Sequence, residues 1–234
     1  KIAIVQQQLK QAAILSGRTQ EDIRLIAVSK TKSTEMILQA LTAGQSAFGE
    51  NRVQEALGKI EDLTKLPLVE WHLIGHLQKN KVKFCPGNFQ WIHTIDSTEL
   101  VKKLEARSAF AQKKINVLLQ VNLSREITKS GLHDWEDILQ VSETILSGKW
   151  LKLRGLMTIP PPNIGETPTR KIYEKLRLWR DKLKQDLDSP EISELSMGMT
   201  ADFHWAIQEG ATMIRVGSAI FGERNEDMDS STNM

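Results

Sequence analysis

The chain has 234 residues, 40% hydrophobic and 26% charged, with a net charge of +2 and a single cysteine, Cys85. That length suits one large domain whose core needs no disulfide staples. A near-neutral charge gives no electrostatic reason to bind nucleic acid or an acidic membrane, and no apolar run approaches the ~18 residues of a membrane span. One cysteine cannot form an intramolecular disulfide, which fits a reducing cytoplasm. The first residues lack the apolar core of a signal peptide. The chain opens at Lys1 rather than methionine, so an upstream targeting segment stays open.

Ile2, Val5, Leu9 and Ala12 or Ala13 recur at helical spacing and stop near Gly17, so the chain begins with an amphipathic helix. Short apolar runs follow at 24–29, 46–50, 70–75, 91–95, 115–123, 152–157, 194–198 and 212–217. Helical patterns lie between them. Trp135, Ile138, Leu139 and Ser142 mark one helix face; Ile172, Leu176, Trp179 and Leu183 mark another. Strands alternating with helices predict a parallel sheet of the α/β class, and eight of them predict a closed (β/α)8 TIM barrel with an extra N-terminal helix. An open doubly wound sheet is the alternative. The first strand-to-helix turn, Ser29-Lys30-Thr31-Lys32, has no glycine for a dinucleotide fingerprint, which favours the barrel. Residues 158–169 hold four of the seven prolines and read as an extended loop, either a cover for the barrel mouth or a plain connection. Residues 1–222 read as one domain and 223–234 as a polar, disordered tail.

Barrel chemistry sits at the C-terminal ends of the strands. The residues at or just beyond those ends are Lys30, Glu50, Asn51, His72, His76, Asn122, Met157, Ser196, Gly198, Thr200, Arg215, Gly217 and Ser218. The last two strands are the most informative. "SMGMT" and "RVGS" each pair a glycine with a hydroxyl, Gly198 with Thr200 and Gly217 with Ser218, and could cradle a phosphate. Thr200 could also cap the next helix. The plain reading is two ordinary turns, since these residue types populate turns anyway. Lys30 has a plain reading too, because a lysine at a strand end is usually solvated. At a barrel mouth, however, desolvation and a cationic neighbour such as Arg215 leave a fraction of neutral, nucleophilic amine. An amine facing a phosphate cradle points to a Schiff base with a phosphorylated aldehyde, either a sugar phosphate or pyridoxal phosphate. His72 and His76 are four apart but straddle a strand end and a glycine, so no metal pair is expected. Cys85 reads as a partly buried small residue and the tryptophans as packing residues.

"AVSKTK", "FGENRVQE", "WHLIGHLQKNK", "NLSREITKSG", "RGLMTIP", "LSMGMTADF" and "TMIRVGSAIFG" occur in this order between about residues 20 and 222. Together they resemble the pyridoxal phosphate homeostasis family, the YggS or PROSC type. The resemblance implies a single barrel like the N-terminal domain of alanine racemase, of fold type III. It implies that Lys30 carries pyridoxal 5'-phosphate as an internal aldimine. Thr200 and Ser218 would hold the phosphate by their hydroxyls, and Gly198, Met199 and Gly217 by backbone, beside Ser196. Arg215 would face the pyridine nitrogen, Asn51 and Met157 would line the ring, and His72 would lie nearby. The family's usual serine is Thr200 here, which keeps the hydroxyl.

An arginine only donates, so the ring nitrogen it faces stays unprotonated and the ring is a poor carbanion sink. Racemisation remains open to two opposed bases. In the racemases one base is a tyrosine from a second domain; here the single tyrosine, Tyr173, falls in a helix pattern. The expectation is a cytoplasmic, monomeric, non-catalytic carrier that buffers the cofactor and delivers it to cofactor-requiring apoenzymes. An amino-acid racemase or related lyase using the same cofactor is the alternative, and a regulatory interaction protein is a third reading.

Overall fold

The computed structural model describes residues 1–64, 66, 69–124 and 130–222. Eight parallel strands close into a barrel in sequence order: β1 (Arg24–Val28), β2 (Ala47–Glu50), β3 (Glu70–Leu73), β4 (Trp91–Ile95), β5 (Ile115–Gln120), β6 (Leu151–Met157), β7 (Glu194–Ser196) and β8 (Met213–Val216). Each predicted apolar run matches one strand, β6 starting one residue before its run. Helices α1 (Ile2–Leu15), α2 (Thr34–Thr42), α3 (Val53–Asp62), α4 (Thr98–Ala111), α5 (Trp135–Leu146), α6 (Glu166–Asp186), α7 (Phe203–Gln208) and α8 (Ser218–Phe221) surround it. The connection from β3 to β4 carries a 3-10 turn at Val82–Phe84 in place of an α-helix.

Strand side chains alternate between the helix layer and the barrel interior. Outward residues such as Phe48, Leu73, Ile92 and Leu119 join the main core under the helices. Ile26, Ala47, Trp91, Leu118, Met157 and Met213 form a separate buried cluster inside the barrel. The first helix buries the predicted stripe of Ile2, Val5, Leu9, Ala12 and Ala13 and packs on α7 and α8. Burying Val5 and Leu9, both 1% exposed, contributes roughly 1.5–3 kcal/mol each. Arg18 reinforces this seam by donating to the Ala211 carbonyl at 2.7 Å.

Several expectations need correction. The proline stretch is not all loop: α6 starts at Glu166, after Gly165 at φ +87°. Pro168 lies in the first turn of that helix, where its missing N–H leaves no bond unmade. Cys85 is fully buried, not partly so. The tail at 223–234 and part of the "NLSREITKSG" motif lie outside the described residues. Gly155 lets β6 approach β7: a Cβ there would sit 1.9 Å from the Glu194 carbonyl oxygen. Among the described residues no helix is long and apolar enough to cross a membrane.

Candidate functional site

At the C-terminal mouth, a cavity of about 380 Å³ lies between the first and the last two strand ends. It is lined by six of the candidate residues: Lys30, Met199, Thr200, Arg215, Gly217 and Ser218. The volume falls in the range of small-ligand sites. A larger depression, about 670 Å³, opens at the opposite mouth beside Arg24 and Glu70. Barrels do not place their chemistry at that end, and none of its described lining residues is a lysine.

Lys30 lies two residues beyond β1, in the turn rather than at the strand's last position, and is half-buried. Its chain neighbours are clamped from below. Ser29 donates its hydroxyl to Glu50 Oε1 at 2.6 Å, and its carbonyl accepts from Lys59 Nζ at 2.8 Å. Thr31, at φ +61°, donates its backbone N–H to Glu55 Oε1 at 2.5 Å. Lys59 binds both carboxylates, Glu50 at 2.9 Å and Glu55 at 2.7 Å. One ammonium on α3 thus fixes the pedestal on which Lys30 stands. Burial raises the Glu50 carboxyl above its ordinary range, against the pull of Ser29 and Lys59.

The turn after β7 is held by Asp202. Its Oδ1 accepts the Met199 N–H at 2.6 Å and its Oδ2 accepts the Tyr173 hydroxyl at 2.9 Å. Gly198 sits at φ +94°, and a Cβ there would come within 2.6 Å of the Ala206 Cβ. Its missing side chain therefore serves the packing of α7. Thr200 does not cap that helix; Asp202 precedes it. Instead the Ser218 hydroxyl donates to Thr200 Oγ1 at 3.3 Å, so the hydroxyls of two adjacent turns converge.

Arg215 points from β8 into the buried end of the cavity. Its Nη1 donates to Ser196 Oγ at 2.6 Å and its Nη2 to the Thr158 carbonyl at 2.9 Å. Burial lowers its pKa to about 10, which leaves it a cation at neutral pH. Ser196 and His72 are fully buried and meet the cavity only through hydrogen bonds. Met157 lies in the interior cluster. Asn51 lines neighbouring depressions with Gly75 and His76. His72 is buried, whereas the side chain of His76 is 55% exposed and 3.9 Å from Asp96.

Sequence reading passed over Lys32, which lines the same cavity and donates to the Gly222 carbonyl at 3.4 Å. It also passed over Lys59 and His93. Val53, Ala56 and Lys59 form the buried stripe of α3, so their spacing of three was a usable signal. His93 sits between Trp91 and Ile95 on β4, and alternation places it on the same face as Trp91, inside the barrel.

The arrangement resembles known proteins over nearly its full length. A family model described as alanine racemase, N-terminal domain, matches residues 6–225. A pyridoxal phosphate homeostasis protein of Pasteurella multocida is 41% identical over 226 residues, covering 96% of each chain. The chain belongs to the pyridoxal phosphate homeostasis protein family. A family member from Vibrio alginolyticus is 43% identical over 212 residues, covering 89% of this chain and 90% of that one. Among solved structures, PipY of Synechococcus elongatus PCC7942, described with PLP bound, is 36% identical with a TM-score of 0.82, covering 92% of this chain and 100% of that chain. An alanine racemase of Clostridium difficile 630 shares the barrel at a TM-score of 0.72 but only 16% identity, over 94% of this chain and 56% of that one, which speaks to fold alone.

Proposed function

We propose that this chain holds pyridoxal phosphate in the cavity beside Lys30, limits its free concentration in the cytoplasm and releases it to apoenzymes. The observation that carries this reading is the convergence in one small cavity of an amine, a buried guanidinium and two hydroxyls from adjacent turns. These residues fit the cofactor. The Lys30 amine would add to its aldehyde carbon, a C=N bond forming as one water leaves; water or a competing amine reverses the link. Thr200 and Ser218 would donate to the phosphate, with the backbone of Met199 and Gly217 beside them. Arg215 would donate to the ring nitrogen, and Asn51, Met157 and His72 would shape the surroundings of the ring. Gly198 and Ser196 would act from behind, through the turn and the arginine.

The lining favours holding over turnover. Among its described residues there is no carboxylate, imidazole or phenol, and the remaining amine, Lys32, is turned toward the Gly222 carbonyl. A racemase needs a second base on the opposite face of its substrate. We read the chain as a monomeric carrier with no catalytic turnover.

The test is a visible spectrum of the purified protein with added cofactor, followed by borohydride reduction and peptide mapping. The expected result is an absorption band that borohydride removes, a reduced adduct at Lys30, and neither in Lys30→Ala. An adduct at another lysine, or none, refutes the reading. Amino-acid racemisation above that of free cofactor would refute the non-catalytic part.

A further inference from the structure

An unbroken line of side chains crosses the barrel interior. Arg215 Nη1 lies 2.6 Å from Ser196 Oγ, Ser196 Oγ 2.9 Å from His93 Nδ1, His93 Nε2 2.9 Å from His72 Nδ1, and His72 Nε2 2.8 Å from Glu70 Oε1. Glu70 stands at the opposite mouth, paired with Arg24 at 3.3 Å. Ser196, His93 and His72 have no exposed surface, and Arg215 has 4%.

The carboxylate end, with both imidazoles neutral, assigns every proton along the line. An ionised carboxylate only accepts, so His72 carries its hydrogen on Nε2. A neutral His72 then accepts at Nδ1, and His93 must donate from Nε2. A neutral His93 accepts at Nδ1, so the Ser196 hydroxyl donates to it. Ser196 then presents its lone pairs to the arginine, which only donates. The arginine end is compatible with this assignment, and the carboxylate end decides it, because a serine hydroxyl has lone pairs enough to accept from the arginine in either case. Burial disfavours the charged form of both imidazoles, consistent with their being neutral.

We propose that Ser196, His93, His72 and Glu70 are positioning residues, forming a one-direction hydrogen-bond chain that fixes Arg215 as the donor to the ring nitrogen of the bound cofactor. This rests on the cavity being the pyridoxal phosphate site. The anchor of the site's arginine is thus a carboxylate at the far mouth of the barrel. Without the chain the Ser196 hydroxyl is free to rotate, and the guanidinium loses a fixed acceptor.

Nitrogen NMR of the histidine rings in cofactor-free protein tests the chain directly. Both His72 and His93 are expected as the Nε2–H tautomer at neutral pH. An Nδ1–H tautomer at either position overturns the proposal, whatever the cofactor does. In loaded protein, Ser196→Ala and His93→Phe should speed cofactor loss to a competing amine by roughly five- to tenfold, the scale of one buried hydrogen bond, and shift the absorption maximum. Glu70→Leu, at the mouth, tests the same chain without opening the core. It should release the His72 tautomer and speed loss by about threefold. Glu70→Gln, which keeps an acceptor, should restore both. Unchanged retention and spectrum in folded His93→Phe and Glu70→Leu would overturn the proposal. If wild type forms no adduct at Lys30 while both tautomers are as assigned, the cofactor reading fails and the chain stands as a structural feature only.

Discussion

Replacing Lys59 by methionine tests the pedestal of Lys30. The Lys59 side chain is 10% exposed, and its ammonium serves three acceptors, Glu50 Oε1, Glu55 Oε1 and the Ser29 carbonyl. The Glu50 side chain has no exposed surface, and its Oε2 has no hydrogen-bond partner. Lys59→Met keeps the aliphatic stem and leaves the Glu50 carboxylate buried with only the Ser29 hydroxyl. Removing one partner of a buried pair costs about 3–5 kcal/mol. Glu50 can escape part of that cost by taking up a proton, since burial already holds its pKa above the ordinary carboxylate range. A raised acid pKa in the folded state means that stability is greatest below the unfolded value, ~4.3, and falls as pH rises through the folded value. The deficit of Lys59→Met should therefore be about 3 kcal/mol at about pH 7 and smaller at about pH 5. Urea unfolding at both pH values measures it. Glu50→Gln combined with Lys59→Met should recover part of the loss, because the uncompensated charge is gone. A loss below about 1 kcal/mol at neutral pH, or one that grows toward acid, would refute the reasoning.

Burial holds the pKa of His72 below, and that of His93 well below, the ordinary imidazole range. The unfolded chain takes up those protons near ~6.5, so stability present above that pH is lost as pH falls through the folded values. The urea midpoint should drop on acidification, and His93→Phe should flatten the dependence. Burial pushes the Cys85 thiol up to about 12, so it should react with a thiol reagent only as fast as the protein opens; prompt labelling of native protein would contradict its burial. Thr200→Val should weaken cofactor binding by roughly tenfold or more, as for a lost hydrogen bond to a charged group, while Thr200→Ser should bind as wild type in a fluorescence titration.

The barrel was legible because buried parallel strands read as short apolar runs set between helical patterns. β1, "RLIAV", and β5, "INVLLQ", stand out this way, whereas β7, "ELS", is marked mainly by its place in the alternation. The 3-10 crossover after β3 was not legible, because the sequence around Val82–Phe84 carries no helical stripe to mark its presence or absence. The boundary at Gly165 was masked by prolines on both sides, one of which belongs to the helix. At the site, Lys30, Arg215, Thr200 and Ser218 follow from strand ends and turn chemistry, and the cavity unites them. His93 could not be singled out from its own strand, where a lone histidine among Trp91, Ile92 and Ile95 reads as core. Its partners come from β3 and β7, and only closure of the barrel sets Ser196 2.9 Å from it. Long-range hydrogen bonds of this kind have no local sequence pattern.

Tyr173 separates a carrier from a racemase most sharply. A tyrosine that acts as a base must reach the cofactor and lose its proton. Tyr173 has no exposed surface, and its hydroxyl donates to Asp202 at 2.9 Å. Burial and the adjacent carboxylate raise its pKa, so the phenol stays protonated. It is absent from the cavity lining and acts instead on the turn, since Asp202 also holds the Met199 N–H. Tyr173→Phe should therefore cost about 1.5–3 kcal/mol of stability, the value of a hydrogen bond to a charged group. Cofactor affinity should fall by a few-fold as the turn at Met199 and Thr200 loosens, on the scale of one weakened contact. An imine band should still form on Lys30. A wild-type protein that racemises amino acids, together with a Tyr173→Phe variant that binds cofactor normally and does not, would show that the phenol reaches the substrate after all. A side chain locked behind the turn cannot do that, so this result would overturn both its placement and the non-catalytic reading.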